Sequence, residues 1–203
     1  EDVPGASGVV RRAVTDVVTP GTTLSPATLV ERENNYIVSL LERGGRAGFA
    51  ILDVSTGEFS AGEEDGEAIE QVLAGMRIRE AIIPEGSESL RRLMETLDSR
   101  TTIDARPEFQ FEEHAARATL LAHFRVANLE CFGIEGRPLA AAAAGALLGF
   151  VKDLRHSDLL HITGLRLIVS EENLFLDTET IRNLELFEPL RGNTPDTTLI
   201  HHM

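Results

Sequence analysis

Lysine is almost missing from this 203-residue chain: Lys152 is the only one, and every other basic side chain is an arginine. The 19 basic residues face 33 acidic ones, a net charge of −14. Nucleic-acid affinity rests largely on clustered Lys and Arg, so that balance argues against a phosphate-gripping surface. A single cysteine, Cys131, excludes an internal disulfide framework and a cysteine-based zinc site, and makes a reducing, cytoplasmic setting the default. The N-terminus Glu1-Asp2-Val3-Pro4-Gly5 has neither the basic stretch nor the apolar core of a secretion signal. It also lacks an initiator methionine, so the chain is expected to begin inside a longer protein. The longest apolar run, from Leu139 to Val151, is mostly alanine and too short to span a bilayer. No membrane partner is expected.

A hydrophobic fraction of 42% over this length is enough to bury a core. Val9 to Val18 reads as a strand ended by Thr19-Pro20-Gly21. Ser25-Pro26 fits a helix start, with Ser as N-cap and Pro at the first helical position. Tyr36 to Leu41 is strand-like and stops at Gly44-Gly45. Ala47 to Val54 and Glu58 to Ala61 flank Ser55-Thr56-Gly57, which predicts a hairpin. Asp65 is placed to cap a helix whose Ile69, Val72, Leu73 and Met76 form one stripe. Ser87 is placed to cap another, with Leu90, Leu93, Met94 and Leu97. Short strands at 81–84 and 101–104 alternate with these helices. That alternation implies crossover connections, a parallel layer and helices covering a sheet.

From Phe111 the pattern turns helical, with helices expected over Glu112–Phe124 and Pro138–Leu154 around a loop containing Gly133. The alanines of the second should let it pack closely on the sheet or on a neighbouring helix. Leu165 to Val169 and Leu174 to Asp177 predict a hairpin around Glu171-Glu172-Asn173. Thr178 is placed to cap a last helix through Phe187, and Gly192 to Met203 is expected to be poorly ordered.

No phosphate loop, dinucleotide fingerprint, zinc-protease motif or serine-hydrolase elbow is present. The histidines at 114, 123, 156, 161, 201 and 202 are scattered, and the five-residue spacing of His156 and His161 suits a metal poorly. Glu63, Glu64, Glu67 and Glu70 read as a solvated helix face. Asp53 carries the one catalytic possibility. In ribonuclease-H-like nucleases an aspartate on the first strand helps to hold two Mg²⁺ ions. Such a site needs further carboxylates, with Glu80, Asp104 or Glu112 as candidates. The competing role for Asp53 is to accept backbone N–H groups in the Ser55-Thr56-Gly57 turn.

Ordered blocks of sequence carry a resemblance. These are Val17-Val18-Thr19-Pro20-Gly21-Thr22, Glu31 to Tyr36, Leu52 to Phe59, Ile82-Ile83-Pro84-Glu85, Phe132-Gly133-Ile134-Glu135, Leu176 to Leu186, Pro189 to Gly192 and Thr197 to Ile200. From about residue 9 onward, their order and spacing resemble the MutS family of DNA mismatch repair proteins. The resemblance implies the end of a mismatch-binding domain or its linker over 1–12, a connector domain over 13–166 and the start of a core (lever) domain over 167–203. The implied connector is an α/β, ribonuclease-H-like fold, a mixed β-sheet flanked by helices on both faces.

The family's mismatch-inserted Phe-x-Glu motif lies upstream of Val17–Thr22, so Phe111-Glu112-Glu113 is a chance match. The family's ATPase, with its ATP and Mg²⁺, lies beyond Met203. The implied function is a non-catalytic, cytoplasmic connector that couples mismatch binding to the ATPase and offers a docking surface to MutL. Mismatched DNA would be reached through the parent protein, with no cofactor in these residues. His123, Arg125, Asn128 and Glu130 are the expected MutL contacts. A metal-dependent nuclease built on Asp53 is the alternative.

Overall fold

A computed structural model describes Thr19 and residues 35–66, 68–74, 76–155 and 159–169. The expected strand over Val9–Val18, the helix after Ser25-Pro26, the second strand at 174–177, the Thr178-capped helix and the 192–203 tail lie outside the described residues.

Strands β1 (Tyr36–Arg43), β2 (Arg46–Asp53) and β3 (Glu58–Asp65) form an antiparallel meander. The first turn is Gly44-Gly45, with φ of 61° and 80°. Two consecutive left-handed residues make the tight hairpin turn whose twist matches the strands, and glycine adopts that conformation at little cost. After β3 the chain crosses over through α1 (Ile69–Leu73) to β4 (Ile78–Pro84), and through α2 (Glu88–Leu97) to β5 (Thr102–Arg106). β4 lies parallel to β1, and β5 parallel to β4. The last strand, β6 (Arg166–Leu167), lies parallel to β3, so the sheet runs β5-β4-β1-β2-β3-β6. A three-strand meander extended by parallel crossover strands is the ribonuclease-H-like arrangement expected for an α/β connector.

Strand alternation divides the core. Ile37, Leu41, Ala50, Leu52, Phe59 and Ala61 face α3 (Glu113–Phe124) and α4 (Pro138–Arg155). Val38, Leu40, Phe49, Ile51, Ile78, Ala81 and Ile83 face α1 and α2. Both faces are therefore covered, and the two central strands, β1 and β2, read as near-continuous apolar runs.

α4 is the organising helix. From Leu139 to Leu148 every residue is buried, because β1, β2 and β3 lie on one side of it and α3 on the other. The alanine run makes this close approach possible, and two glycines complete it. A Cβ on Gly48 would sit 2.3 Å from the Leu139 carbonyl oxygen, and one on Gly145 would sit 2.4 Å from Ala116 Cα.

Several local expectations are corrected. β3 extends to Asp65 because its ladder with β2 continues to the Arg46–Asp65 pair. Asp65 is thus a strand residue, and its carbonyl accepts the Ala68 N–H at 2.9 Å. Ala68 is the N-cap of α1, and Met76 falls beyond that short helix. Ser87 does hold the N-cap position of α2, but its side chain makes no capping bond. The strand expected over 165–169 is only two residues long and pairs with β3.

Candidate functional site

Asp53 closes β2, the second strand of the meander, rather than lying on the first. The residue is 1% exposed. Oδ1 accepts the Ser55 N–H at 2.8 Å, the Ser55 hydroxyl at 2.6 Å and the Thr56 N–H at 3.3 Å. The Asp53 carbonyl accepts the Gly57 N–H at 2.9 Å. This is the turn-forming role of aspartate, which folds the backbone after it by satisfying consecutive N–H groups. Oδ2 is buried without a partner.

The carboxylates named as co-ligands are engaged elsewhere. Glu80, on β4, accepts the Thr19 hydroxyl. Asp104, on β5, pairs with Arg106 at 3.4 Å. Glu112, just before α3, pairs with Arg43 at 3.7 Å. Among the described residues no group of three or more His, Cys, Asp or Glu could hold a metal ion. The described residues do not fit a two-Mg²⁺ centre.

Of the four residues expected at a partner surface, His123 lies in the last turn of α3, and Arg125, Asn128 and Glu130 follow its end. His123 is half-buried, with Nε2 2.9 Å from the Ile162 carbonyl oxygen and its ring edge-on to Phe124. Arg125 is exposed and ends the helix in the left-handed conformation, with φ 56° and ψ 42°. Asn128 Oδ1 accepts the Glu130 N–H at 3.2 Å, which starts the next 3₁₀ turn, and Asn128 Nδ2 donates to the Glu130 carboxylate at 3.4 Å. The loop is braced from below by Glu135. Its carboxylate takes the Arg117 guanidinium at 2.7 and 2.9 Å and the Leu129 N–H at 2.8 Å. The Arg117 hydrogen bond, then that of Leu129, hold the Glu135 carboxyl below its ordinary range. The structure thus brings Arg125, Asn128 and Glu130 onto one exposed loop, while His123 also serves the packing of the segment after α4.

A neighbouring feature has no counterpart in the sequence reading. α3, α4 and the 3₁₀ turn Glu108–Phe111 enclose an open groove of about 240 Å³. Ala115, Thr119, Ala146, Gly149 and Asp153 are among the residues that line it. Phe109, 68% exposed, stands at its rim. Phe150 also lines it, with the Arg106 guanidinium 5.1 Å over its ring. Small residues at matching positions on two adjacent helices were the available signal.

Glu63 is a second omission. It lies buried on β3 rather than on a solvated helix, because β3 runs four residues further than expected. Its Oε2 accepts the Leu139 N–H at 3.0 Å, and Oε1 lies 3.2 Å from the Arg46 guanidinium. The residue thus caps α4 from the strand against which that helix packs.

The meander, its parallel extensions and the helix layers define a ribonuclease-H-like α/β domain with an open groove between α3 and α4. The family model described as MutS domain II matches residues 35–163, and the chain belongs to that family, the connector region of the DNA mismatch repair protein MutS. A protein of Dehalococcoides mccartyi named DNA mismatch repair protein MutS is 35% identical over 198 residues, covering 97% of this chain and 23% of its own length. Its namesake in Desulfosudis oleivorans is 37% identical over 206 residues, covering 98% of this chain and 23% of its own. That of Chlorobium chlorochromatii is 35% identical over 211 residues, covering all of this chain and 24% of its own. The chain therefore spans about a quarter of the length of these relatives. Among the described residues no helix is long and apolar enough to cross a membrane.

Proposed function

We propose that this domain is a non-catalytic connector of a cytoplasmic mismatch repair protein. It couples mismatch binding to the nucleotide state of an ATPase carried elsewhere in the parent, and it docks MutL on its α3–α4 face. In this reading residues 13–166 are the connector, 1–12 the end of the mismatch-binding domain and 167–203 the start of the core domain. ATP, Mg²⁺ and mismatched DNA belong to the parent protein.

The observation that supports docking is the open face itself. A groove of mixed polar and apolar lining, with an exposed Phe109 at its rim, borders the same helix, α3, that ends in the Arg125–Glu130 loop. An exposed aromatic beside a shallow groove is the kind of feature that anchors a partner. Arg125 supplies an exposed cation at one end, and the internal bonds of Asn128 and Glu130 keep the loop ordered for docking at low entropic cost. For coupling, a compact sheet buried on both faces is suited to move as one rigid body between states.

Calorimetry with the N-terminal domain of the cognate MutL tests the docking. Ala115→Arg, which fills the groove, and Arg125→Gly, which removes the cation while suiting the left-handed backbone, should each weaken binding at least several-fold. Saturable binding that neither variant changes would remove the face from consideration. No binding by the unmodified chain would remove docking as an intrinsic property of the connector.

A further inference from the structure

The segment that follows α4 runs back along the outer edge of the sheet, and its contacts there are specific. His161 Nε2 lies 2.8 Å from the Val54 carbonyl oxygen, and His123 Nε2 lies 2.9 Å from the Ile162 carbonyl oxygen. A carbonyl only accepts, so both imidazoles donate and carry a proton on Nε2. Leu159, Ile162 and Leu165 are buried in the core on the α4 side of the sheet. Arg166 and Leu167 then pair with Ser60 and Ala61, and the Ile168 N–H donates to the Ala61 carbonyl at 2.9 Å.

The receiving surface leaves room for this path. A Cβ on Gly57 would stand 2.8 Å from the His161 carbonyl oxygen, and one on Gly62 would stand 2.6 Å from that of Ile168. Asp53 shapes the receiver, because its Oδ1 gathers the Ser55 and Thr56 groups and thereby fixes the turn from which Val54 and Gly57 meet the strap. A fully buried aspartate at the end of an otherwise apolar strand is explained by that task.

We propose that residues 159–168 form a latched strap, and that Asp53 is the positioning residue of its receiver. Docking of the strap on the 53–57 turn and on β3 fixes the direction in which the chain leaves the domain. This rests on the coupling part of the proposed function, since a connector passes on a rotation only if its exit segment turns with the sheet.

Amide hydrogen exchange on the full 203-residue chain tests the latch. In the unmodified protein the Ile162 and Ile168 amides should exchange about as slowly as those of β3. His161→Phe keeps ring bulk but loses the donor, and Asp53→Ala unshapes the turn. Each should speed exchange over 159–168 on the order of ten-fold, the factor carried by one net hydrogen bond, while β1 and β2 amides hold their rates. His161→Gln, which keeps a donor, should restore protection.

Three outcomes overturn the latch: fast exchange of the strap in the unmodified protein, no change in either variant, or acceleration spread evenly over the sheet. The last would mean that the strap has no opening of its own. Exchange reads the latch in this chain alone, whereas coupling is read in the parent as the nucleotide dependence of its mismatch affinity. Either can therefore fail without the other.

Discussion

Removing the Glu63 carboxylate should cost more stability than any surface substitution on this domain. α4 starts at Arg137-Pro138, and an arginine side chain at the N-cap offers no acceptor to the first helical N–H groups. Glu63 supplies it from β3: Oε2 accepts the buried Leu139 N–H at 3.0 Å. A charge-assisted hydrogen bond to a buried backbone donor is worth about 1.5–3 kcal/mol. The negative charge at the start of α4 adds roughly 0.3–1 kcal/mol through the helix dipole. The Arg46 ion pair adds little, because that guanidinium is 51% exposed and such pairs contribute less than about 1 kcal/mol.

Glu63→Ala should therefore cost about 3 kcal/mol, a fall in Tm of roughly 6–12 °C for a chain of this length. Glu63→Gln keeps an acceptor oxygen and should cost only about 1 kcal/mol, and Arg46→Ala less still. Thermal and urea melts followed by far-ultraviolet circular dichroism measure all three. If Glu63→Gln proves as damaging as Glu63→Ala, the charge rather than the cap stabilises the site. If Arg46→Ala matches Glu63→Ala, the ion pair has been undervalued. A loss below about 1 kcal/mol in Glu63→Ala would refute the cap altogether.

Other changes test other parts of the fold. Gly145→Val places branched bulk where a Cβ would already lie 2.4 Å from Ala116, so α3 and α4 must separate, at a cost of about 1–3 kcal/mol or more in urea unfolding. Glu135 has a folded-state pKa below its ordinary value, so its contribution is present above that ordinary value and is lost as pH falls through the folded one. In a carboxyl-carbon NMR titration Arg117→Ala should raise the Glu135 midpoint, whereas an unmoved midpoint would discard the Arg117 brace. Asp53→Asn should leave Mg²⁺- or Mn²⁺-dependent cleavage of branched or hybrid substrates at background, as in the unmodified chain. Specific cleavage lost on that substitution would restore the nuclease reading.

Periodicity made the alternation of strands and helices legible, since the apolar residues of β1, β2, α2 and α4 repeat at spacings that a sheet and its covering helices require. The start of α1 was not legible. Asp65 is an apt N-cap by residue type, but its pairing with Arg46 across the sheet is a tertiary contact that local preference cannot register. The same long ladder hid Glu63, whose surroundings of Glu64 and Asp65 read as a solvated run. The exposed loop of Arg125, Asn128 and Glu130 could be placed from sequence, but the groove beside it could not. That groove depends on how far apart α3 and α4 stand, a distance set by Gly145 against Ala116.

Two of the buried acids, Asp53 and Glu63, show how a carboxylate answers two different problems. Asp53 ends an apolar strand and meets N–H groups two and three residues ahead, so a short carboxylate suffices and the bond is local. Glu63 must reach a donor 76 residues away, and the longer side chain spans from the sheet to the helix above it. Each acid satisfies backbone that the alanine- and glycine-rich packing would otherwise leave bare, because close approach by Ala140–Ala144 and Gly48 leaves little room for polar side chains on α4 itself. The proposed coupling requires the central helix to be fixed to its sheet, so that the domain turns as one body. Small residues for proximity, with carboxylates from the strands for the helix end and the turn, achieve that without a cap on the helix.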